Sequence, residues 1–186
     1  MKKLALILMT IFALFTFSAC EKGYEDAPKI TEGEFPFIVE YELGGEKYVI
    51  LDTVCCTFDG YDKSNPFPFI DYSRTWYQKL KSGNEDKRLL IELPVNSESL
   101  ITEGRINVAS KVILFYGGGG YYLGDPNDID REPCINYVEE YQSSENVSHV
   151  ISTEMSFEQL EKLFGIKVIR FEFASPIENE FKEYND

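Results

Sequence analysis

The sequence predicts an α+β domain that is built mainly on an antiparallel β sheet, with two short helices packed against the sheet. The stretch from Phe35 to Gly60 contains two β-rich runs joined by Gly44-Gly45, and paired glycines supply the positive φ angles of a type I′ hairpin turn. Four further runs have the length and apolar pattern of strands. The segment that opens at Ser156 carries the signature of a capped helix.

A two-residue turn fixes the register of the first hairpin, because Leu43 must then face Glu46 and every later pair follows in step. One face of the hairpin is mostly apolar, so we expect it to lie on the core. This face is predicted to pair Tyr41 with Tyr48, Val39 with Ile50, Phe37 with Asp52, and Phe35 with Val54.

The start of the chain predicts export. Lys2 and Lys3 precede an uncharged apolar run, residues 4–17, that is too short to span a bilayer comfortably and ends in Ser18-Ala19-Cys20. A basic head, a short apolar middle and small residues before the cut are typical of a signal peptide. Residues 1–19 are therefore predicted to be removed.

The end of this run, Phe17-Ser18-Ala19-Cys20, resembles the lipobox of bacterial lipoprotein precursors. The resemblance implies that Cys20 becomes the lipidated first residue and holds the protein on the extracytoplasmic face of the cell membrane. It departs from the family at Phe17, where Leu is usual. The alternative is ordinary secretion with cleavage after Ala19, which wants a small residue in place of Phe17.

Removal of the signal peptide leaves 167 of 186 residues, with 16 basic and 32 acidic side chains and a formal charge of −16. Such a charge repels nucleic-acid phosphates and anionic lipid headgroups, so we expect no nucleic-acid partner and membrane contact only through the lipid. We predict a tether over residues 20–34, one domain over residues 35–175, and an acidic tail over residues 176–186.

The next elements follow the hairpin in order. Residues 61–72 contain two prolines and predict a loop. Residues 73–83 predict a short helix, because Trp76 and Leu80 share a helical face and Gly83 can end it. The competing strand interpretation would put Tyr77 and Lys79 on one face.

The remaining elements are four strands and a second helix. The helix has a capping box formed by Ser156 and Gln159, and it ends at Gly165. The last strand is expected to turn Ile169, Phe171 and Phe173 inward. The strands are predicted over residues 88–95, 106–116, 133–141 and 166–173, with the second of them buried and central.

Four consecutive glycines, Gly117 to Gly120, raise the question of a phosphate-binding loop, but the residues after them do not fit one. Such a loop continues with Lys-Ser or Lys-Thr, whereas here Asp125-Pro126 follows, and a carboxylate repels a phosphate. We predict a mobile turn between strands.

Three cysteines remain after Cys20. The strand pattern puts Cys55 and Cys134 on polar faces and Cys56 on the core face. Outside the cytoplasm Cys55 and Cys134 are the preferred disulfide pair, and the bridge would close a loop of about 80 residues, worth on the order of 4 kcal/mol. In a strict anaerobe three free thiols are the better interpretation.

A group of oxygen donors follows the glycines and is spaced as in calcium loops: Asp125, Asn127, Asp128, Asp130 and Glu132. It lacks the turn glycine of such loops, so a solvated acidic loop is the default interpretation and calcium is the alternative. Calcium is the only cofactor that the sequence suggests.

Other candidate sites are few. His149 is the only histidine, at a loop edge and without an active-site context for a nucleophile. Asp52 falls on the core face of the hairpin, where a carboxyl needs a partner at the sheet end. The tyrosines Tyr61, Tyr121 and Tyr122 lie in predicted loops and are candidates to bind a sugar or a protein.

The segments YELGGEKY, CTFDGY, WYQKLKSG, YYLGD and FGIKVIRFEF with PIENEF resemble a group of uncharacterised bacterial surface lipoproteins. This resemblance spans most of the mature chain and implies no activity. We therefore expect a lipid-anchored extracytoplasmic binding or interaction protein. The alternatives are an extracytoplasmic hydrolase that uses carboxylates and a structural envelope lipoprotein.

Overall fold

The computed structural model describes residues 28–61, 74–93, 109–128, 131–142 and 148–181. Their strands form two four-stranded antiparallel sheets. Sheet A has the order β3-β2-β1-β8, and sheet B has the order β4-β5-β6-β7. The strands are β1 (Glu32–Leu43), β2 (Glu46–Tyr61), β3 (Arg74–Leu80), β4 (Leu89–Leu93), β5 (Ala109–Phe115), β6 (Cys134–Gln142), β7 (Ser148–Glu154) and β8 (Ile166–Phe173), and the helices are α1 (Gly119–Tyr122) and α2 (Phe157–Phe164).

The predicted fold class is confirmed: the protein is α+β, mostly antiparallel sheet, with two short helices. The inner faces of the two sheets contribute to one hydrophobic core, which contains Val39 and Val54 from sheet A and Val112 and Ile135 from sheet B. The sheets therefore pack face to face as the two layers of a sandwich, and each sheet keeps one outer face.

The first hairpin forms with the predicted register. Gly44 and Gly45 have φ angles of 60° and 85°, as a type I′ turn requires. Leu43 faces Glu46, and the pairing continues in step to Glu32. Local turn chemistry and the alternation of apolar residues agree here, so the hairpin could be predicted in detail.

Helix α2 also forms as predicted. The Ser156 side chain accepts a hydrogen bond from the backbone N–H of Gln159, and the Gln159 side chain accepts one from the Ser156 N–H. Gly165 ends the helix with a φ angle of 67°. Leu160 is the residue that α2 buries in the core.

The predicted helix over residues 73–83 is wrong, because this segment contains β3. Strand β3 pairs with β2, which places Trp76 opposite Phe58 and Leu80 opposite Val54. Leu80 is buried and Tyr77 is 54% exposed, as expected of alternating strand residues. The long neighbouring strand supplies hydrogen bonds that outweigh the weak helical signals.

Sequence patterns also miss β7: they place His149 at the edge of a loop, whereas residues Ser148–Glu154 form a strand. In β8 the expected inward position of Ile169 is wrong, since Ile169 is 48% exposed. The pairing of β1 with β8 shifts between Glu40 and Tyr41, and this bulge moves Val168 to the inner face in place of Ile169. Most of the loop predicted over residues 61–72 lies outside the described residues.

The domain extends beyond its predicted boundaries at residues 35 and 175. Asn179 donates hydrogen bonds to the carbonyl oxygens of Ile30 and Leu123, each at 2.9 Å. The two ends of the described chain are thus held together against the segment that follows α1. The stretch predicted as an acidic tail is anchored through residue 181.

Asp52 fixes the connection that leads from sheet A to sheet B. Its carboxylate accepts hydrogen bonds from the Ser82 hydroxyl, from Lys87 Nζ at 2.9 Å and from the Thr53 backbone N–H at 2.8 Å. Burial alone would raise its pKa, but these hydrogen bonds lower the pKa to about 2. The expected partner at a sheet end is therefore present.

We predict that Asp52→Asn lowers the free energy of unfolding by about 2 kcal/mol at pH 7. The pKa of Asp52 is lower in the folded state than in the unfolded state, so the ionised carboxylate stabilises the fold above about pH 4. This stabilisation is lost as the pH falls toward 2, and the difference between wild type and variant should shrink over that range. Urea unfolding at several pH values measures it. Asp59→Asn, at an exposed position of the same strand, is the control, and a pH-independent difference would contradict the assignment.

Candidate functional site

The tyrosines that were predicted to bind a ligand are packing residues. Tyr122 is completely buried, stacks on Phe35 with 4.6 Å between ring centroids and donates a hydrogen bond to the Tyr116 carbonyl oxygen. Tyr121 packs on the rim of the same core, and Tyr61 meets Phe58 edge to face. They do not form an exposed aromatic platform.

The glycine run leads into the tightly packed helical turn α1, and the expected mobile turn is wrong. Gly119 and Gly120 are buried in α1. A Cβ atom added to Gly120 would lie 2.5 Å from Asp128 Oδ2 and 2.7 Å from Trp76 Nε1. One added to Gly118 would lie 2.7 Å from the same Asp128 oxygen. The glycines are required because this carboxyl and this indole occupy the space of their missing side chains.

Asp125 holds β3 to the segment that follows α1. Its side chain is 2% exposed, and its two oxygens accept hydrogen bonds from Arg74 Nη1 at 2.8 Å and Trp76 Nε1 at 3.0 Å. The backbone N–H of Asn127 donates to the same carboxylate at 3.0 Å. The Arg74 guanidinium also lies 4.5 Å from the centroid of the Phe181 ring. We call this arrangement the Asp125 clamp, and it is a satisfied ion pair.

Asp128 lies beside the clamp. Burial raises the pKa of its carboxyl, with a further contribution from Asp125, while Arg131 and the backbone N–H groups of Tyr121 and Gly120 act to lower it. Arg131 Nε is 3.7 Å from Oδ1. Among the described residues, Oδ2 is a buried oxygen with no hydrogen-bond partner. Asp128 thus lines the space above the glycines.

Two of the calcium candidates in the described part of the chain are placed as follows. Both oxygens of Asp125 are taken by donors, and Glu132 is exposed. Asp130 lies outside the described residues. Within the described ranges no group of three or more His, Cys, Asp or Glu side chains is arranged to hold a metal ion.

The predicted disulfide between Cys55 and Cys134 is not formed, and Cys55, Cys56 and Cys134 are free thiols. Cys55 lies on the outer face of sheet A, and Cys134 lies on the outer face of sheet B. These two faces point in opposite directions from a shared core, whereas a disulfide requires Cα atoms within about 7 Å. The prediction assumes that both cysteines lie on the polar face of one sheet. They lie on the polar faces of two different sheets, so they cannot meet.

His149 stacks on Tyr141 with 5.1 Å between ring centroids, at the end of the β6–β7 pair. No cysteine or serine is placed beside it as a nucleophile in the described contacts. Cys20, the predicted lipid attachment site, lies outside the described residues.

A pocket lies on the outer face of sheet B, and sequence analysis did not predict it. Its volume is about 270 Å³. It spans all four strands of the sheet and is lined by Glu92, Leu93, Ala109, Ser110, Lys111, Val138, Glu140 and Val150. We call it the sheet B pocket.

Lys111 occupies the middle of this pocket on the central strand β5. Glu92 faces it across β4, and Val138 faces it across β6. Glu140 lies two residues along β6, next to Val150 of β7. Among the described residues Lys111 makes no hydrogen bond or ion pair, although an acid faces it directly. Lys111 supplies the positive charge among the residues that line the pocket.

The alternation in β5 and β6 already places Lys111, Val138 and Glu140 on outward positions. The sequence does not predict β7, because residues around His149 are assigned to a loop edge. Without β7, the strand that contributes Val150 to the pocket is missing from the predicted sheet.

The fold and the pocket define the class of the protein: a two-sheet α+β domain with a small concave site on one outer face. No protein-family model matches the chain, and neither the curated proteins nor the solved structures contain a significant match. In the part of the chain that the structure describes, no helix is both long enough and apolar enough to cross a bilayer.

We predict that Asp125→Ala lowers the free energy of unfolding by about 3–5 kcal/mol, because it leaves the Arg74 guanidinium without its partner in a largely buried position. Urea unfolding measures the loss. The control is Glu180→Ala, which removes an exposed ion pair with Lys29 and should leave the stability nearly unchanged. Equal losses in the two variants would contradict the role assigned to the clamp.

Proposed function

We propose that the mature chain is a lipid-anchored extracytoplasmic protein that binds a small zwitterionic ligand in the sheet B pocket. The observation that carries this proposal is the position of Lys111, which lies between two acids above an apolar floor and has no ion-pair partner among the described residues. Concave sites with an apolar lining and a few convergent polar groups are typical of small-ligand binding.

The chemistry of the lining selects the ligand class. The Lys111 ammonium suits a carboxylate, and Glu92 or Glu140 suits an ammonium or guanidinium group on the same molecule. Val138 and Val150 offer apolar contact to an aliphatic side chain. A ligand with one charge only would leave either the lysine or the acids without a partner. Amino-acid-like molecules satisfy all three requirements.

The hydrolase alternative needs two carboxyls that converge on a cleft. The acids nearest to each other around α1 are Asp125 and Asp128, but Asp125 accepts hydrogen bonds on both oxygens within the protein. Binding through the sheet B pocket therefore has more support than hydrolysis near α1.

The test of the proposed ligand class is calorimetric titration of the full chain in detergent with three probes. The probes are L-leucine, isoamylamine, which has only the cation, and 4-methylpentanoate, which has only the anion. We expect L-leucine to bind at least tenfold more tightly than either analogue. Lys111→Met should weaken L-leucine binding at least tenfold, since one charge-assisted contact contributes about 1.5–3 kcal/mol.

The matched control is Lys79→Met, which removes an exposed lysine from the outer face of the other sheet and should leave binding unchanged. Undiminished L-leucine binding by Lys111→Met would contradict the proposed site. Failure of all three probes to bind the wild type would contradict the ligand class.

The lipid anchor is tested separately. In cells supplied with a palmitate analogue, the wild type should be labelled and recovered with membranes, and Cys20→Ser should lose the label. Cys55→Ser should keep it, because Cys55 belongs to the folded domain. An unlabelled wild type released into the medium would show that the leader directs secretion instead.

A further inference from the structure

Sheet A carries aliphatic side chains on the outer side of its two central strands, half-buried on β1 and exposed on β2. Ile38 of β1 faces Leu51 of β2 on the outer side of the sheet, and Val49 lies one position further along that face. Leu51 is 66% exposed and Val49 is 61% exposed. We call these three residues the Leu51 patch. Helix α2 packs beside β8 instead of covering the patch, and no other described element lies over it.

The charged residues around the patch set this face apart from the rest of the molecule. Strand pairing and one turn contact place ten of them on it: the acids Glu32, Glu34, Glu40, Glu42 and Glu172, and the bases Lys47, Lys79, Lys81, Lys167 and Arg170. Five acids and five bases give a formal charge of zero, although the whole chain has a formal charge of −14. The net negative charge of the chain therefore comes from residues outside this face.

Three ion pairs order this rim. Lys81 Nζ lies 2.6 Å from a Glu34 oxygen. Arg170 Nη1 lies 3.8 Å from a Glu40 oxygen, and Arg170 Nη2 lies 2.5 Å from a Glu172 oxygen. The outer face of sheet A is therefore an apolar centre inside a rim that carries both signs of charge. This composition resembles a protein interface more than a solvated sheet face.

We propose that the occupant of the Leu51 patch is a second copy of this chain. Strongly acidic chains repel each other through most of their surface, and the repulsion is weakest where a face is close to neutral. A two-fold contact places the same patch on both copies, so each apolar centre covers the other and rims of mixed sign can be matched. A basic partner would favour the acidic faces, not this one.

Sedimentation equilibrium of the full chain in detergent tests this dimer. The wild type should show a concentration-dependent monomer–dimer equilibrium. Leu51→Lys should weaken dimerisation at least tenfold, because it puts a lysine into the apolar centre of both copies. Since Leu51 is largely exposed, its thermal unfolding should match that of the wild type.

Val150→Lys is the matched control, because Val150 is also 66% exposed but lies on the outer face of sheet B. This variant should dimerise like the wild type. A wild type that is monomeric at all concentrations overturns the proposal, and so does a dimer that Val150→Lys breaks and Leu51→Lys does not. Association of the patch with another protein or with lipid vesicles, in place of self-association, would also overturn it.

Thiol crosslinking in native membranes gives a second measurement. Cys55 lies on the outer face of sheet A, Cys134 lies on the outer face of sheet B, and burial raises the pKa of the Cys56 thiol to about 12. A short bis-maleimide should give a dimer that Cys55→Ser abolishes and Cys134→Ser leaves intact. Crosslinking that depends on Cys134 would place the contact on the wrong sheet.

Discussion

The Asp125 clamp is the interaction on which the arrangement of the molecule depends. The carboxylate belongs to the segment that follows α1, and therefore to the chain leaving sheet B. Its donors, Arg74 and Trp76, belong to the edge strand β3 of sheet A. A charge that is almost completely buried requires this pairing, because an unpaired ion in the same place would cost several kcal/mol. The clamp thus joins the two layers at one end of the sandwich.

The glycine run follows from the same constraint. The Trp76 indole and the Asp128 carboxyl reach the backbone of α1 so closely that a methyl group on Gly120 would overlap both. Asp52 plays a related role at the crossover from β3 to β4. Its carboxylate accepts hydrogen bonds from Ser82 and Lys87 and so fixes the connection between the two strands. Asp125 and Asp52 therefore serve as internal connectors between neighbouring elements.

A sandwich fixed in this way has two outer faces with different chemistry. The outer face of sheet B presents acids on both sides of Lys111, in a hollow that fits a small molecule. The outer face of sheet A presents a nearly neutral surface around Leu51. Since the two faces point away from each other, occupation of one leaves the other accessible. A ligand and a second copy of the chain would not compete.

How much of this could be predicted depends on how local the signals are. The first hairpin and α2 were predicted closely, because Gly44-Gly45 and the Ser156 capping box determine them within a few residues. Strand β3 and strand β7 were not. Each pairs with the strand before it, but the connecting residues, 62–73 and 143–147, have no two-residue turn signature like Gly44-Gly45. A short segment such as β3, with its aromatic and basic residues, satisfies a helical pattern as well as an alternating one.

The error at β3 also bears on the acids that sequence patterns offer as calcium ligands. Closely spaced acids look the same in sequence whether they bind a metal or an internal cation, and the difference lies in which donors reach them. For Asp125 those donors arrive from 51 and 49 residues upstream. With residues 73–83 assigned as a helix, there was no reason to bring Arg74 and Trp76 to Asp125. Once β3 lies at the edge of sheet A, guanidinium and indole N–H groups occupy the carboxylate oxygens that a calcium ion would need.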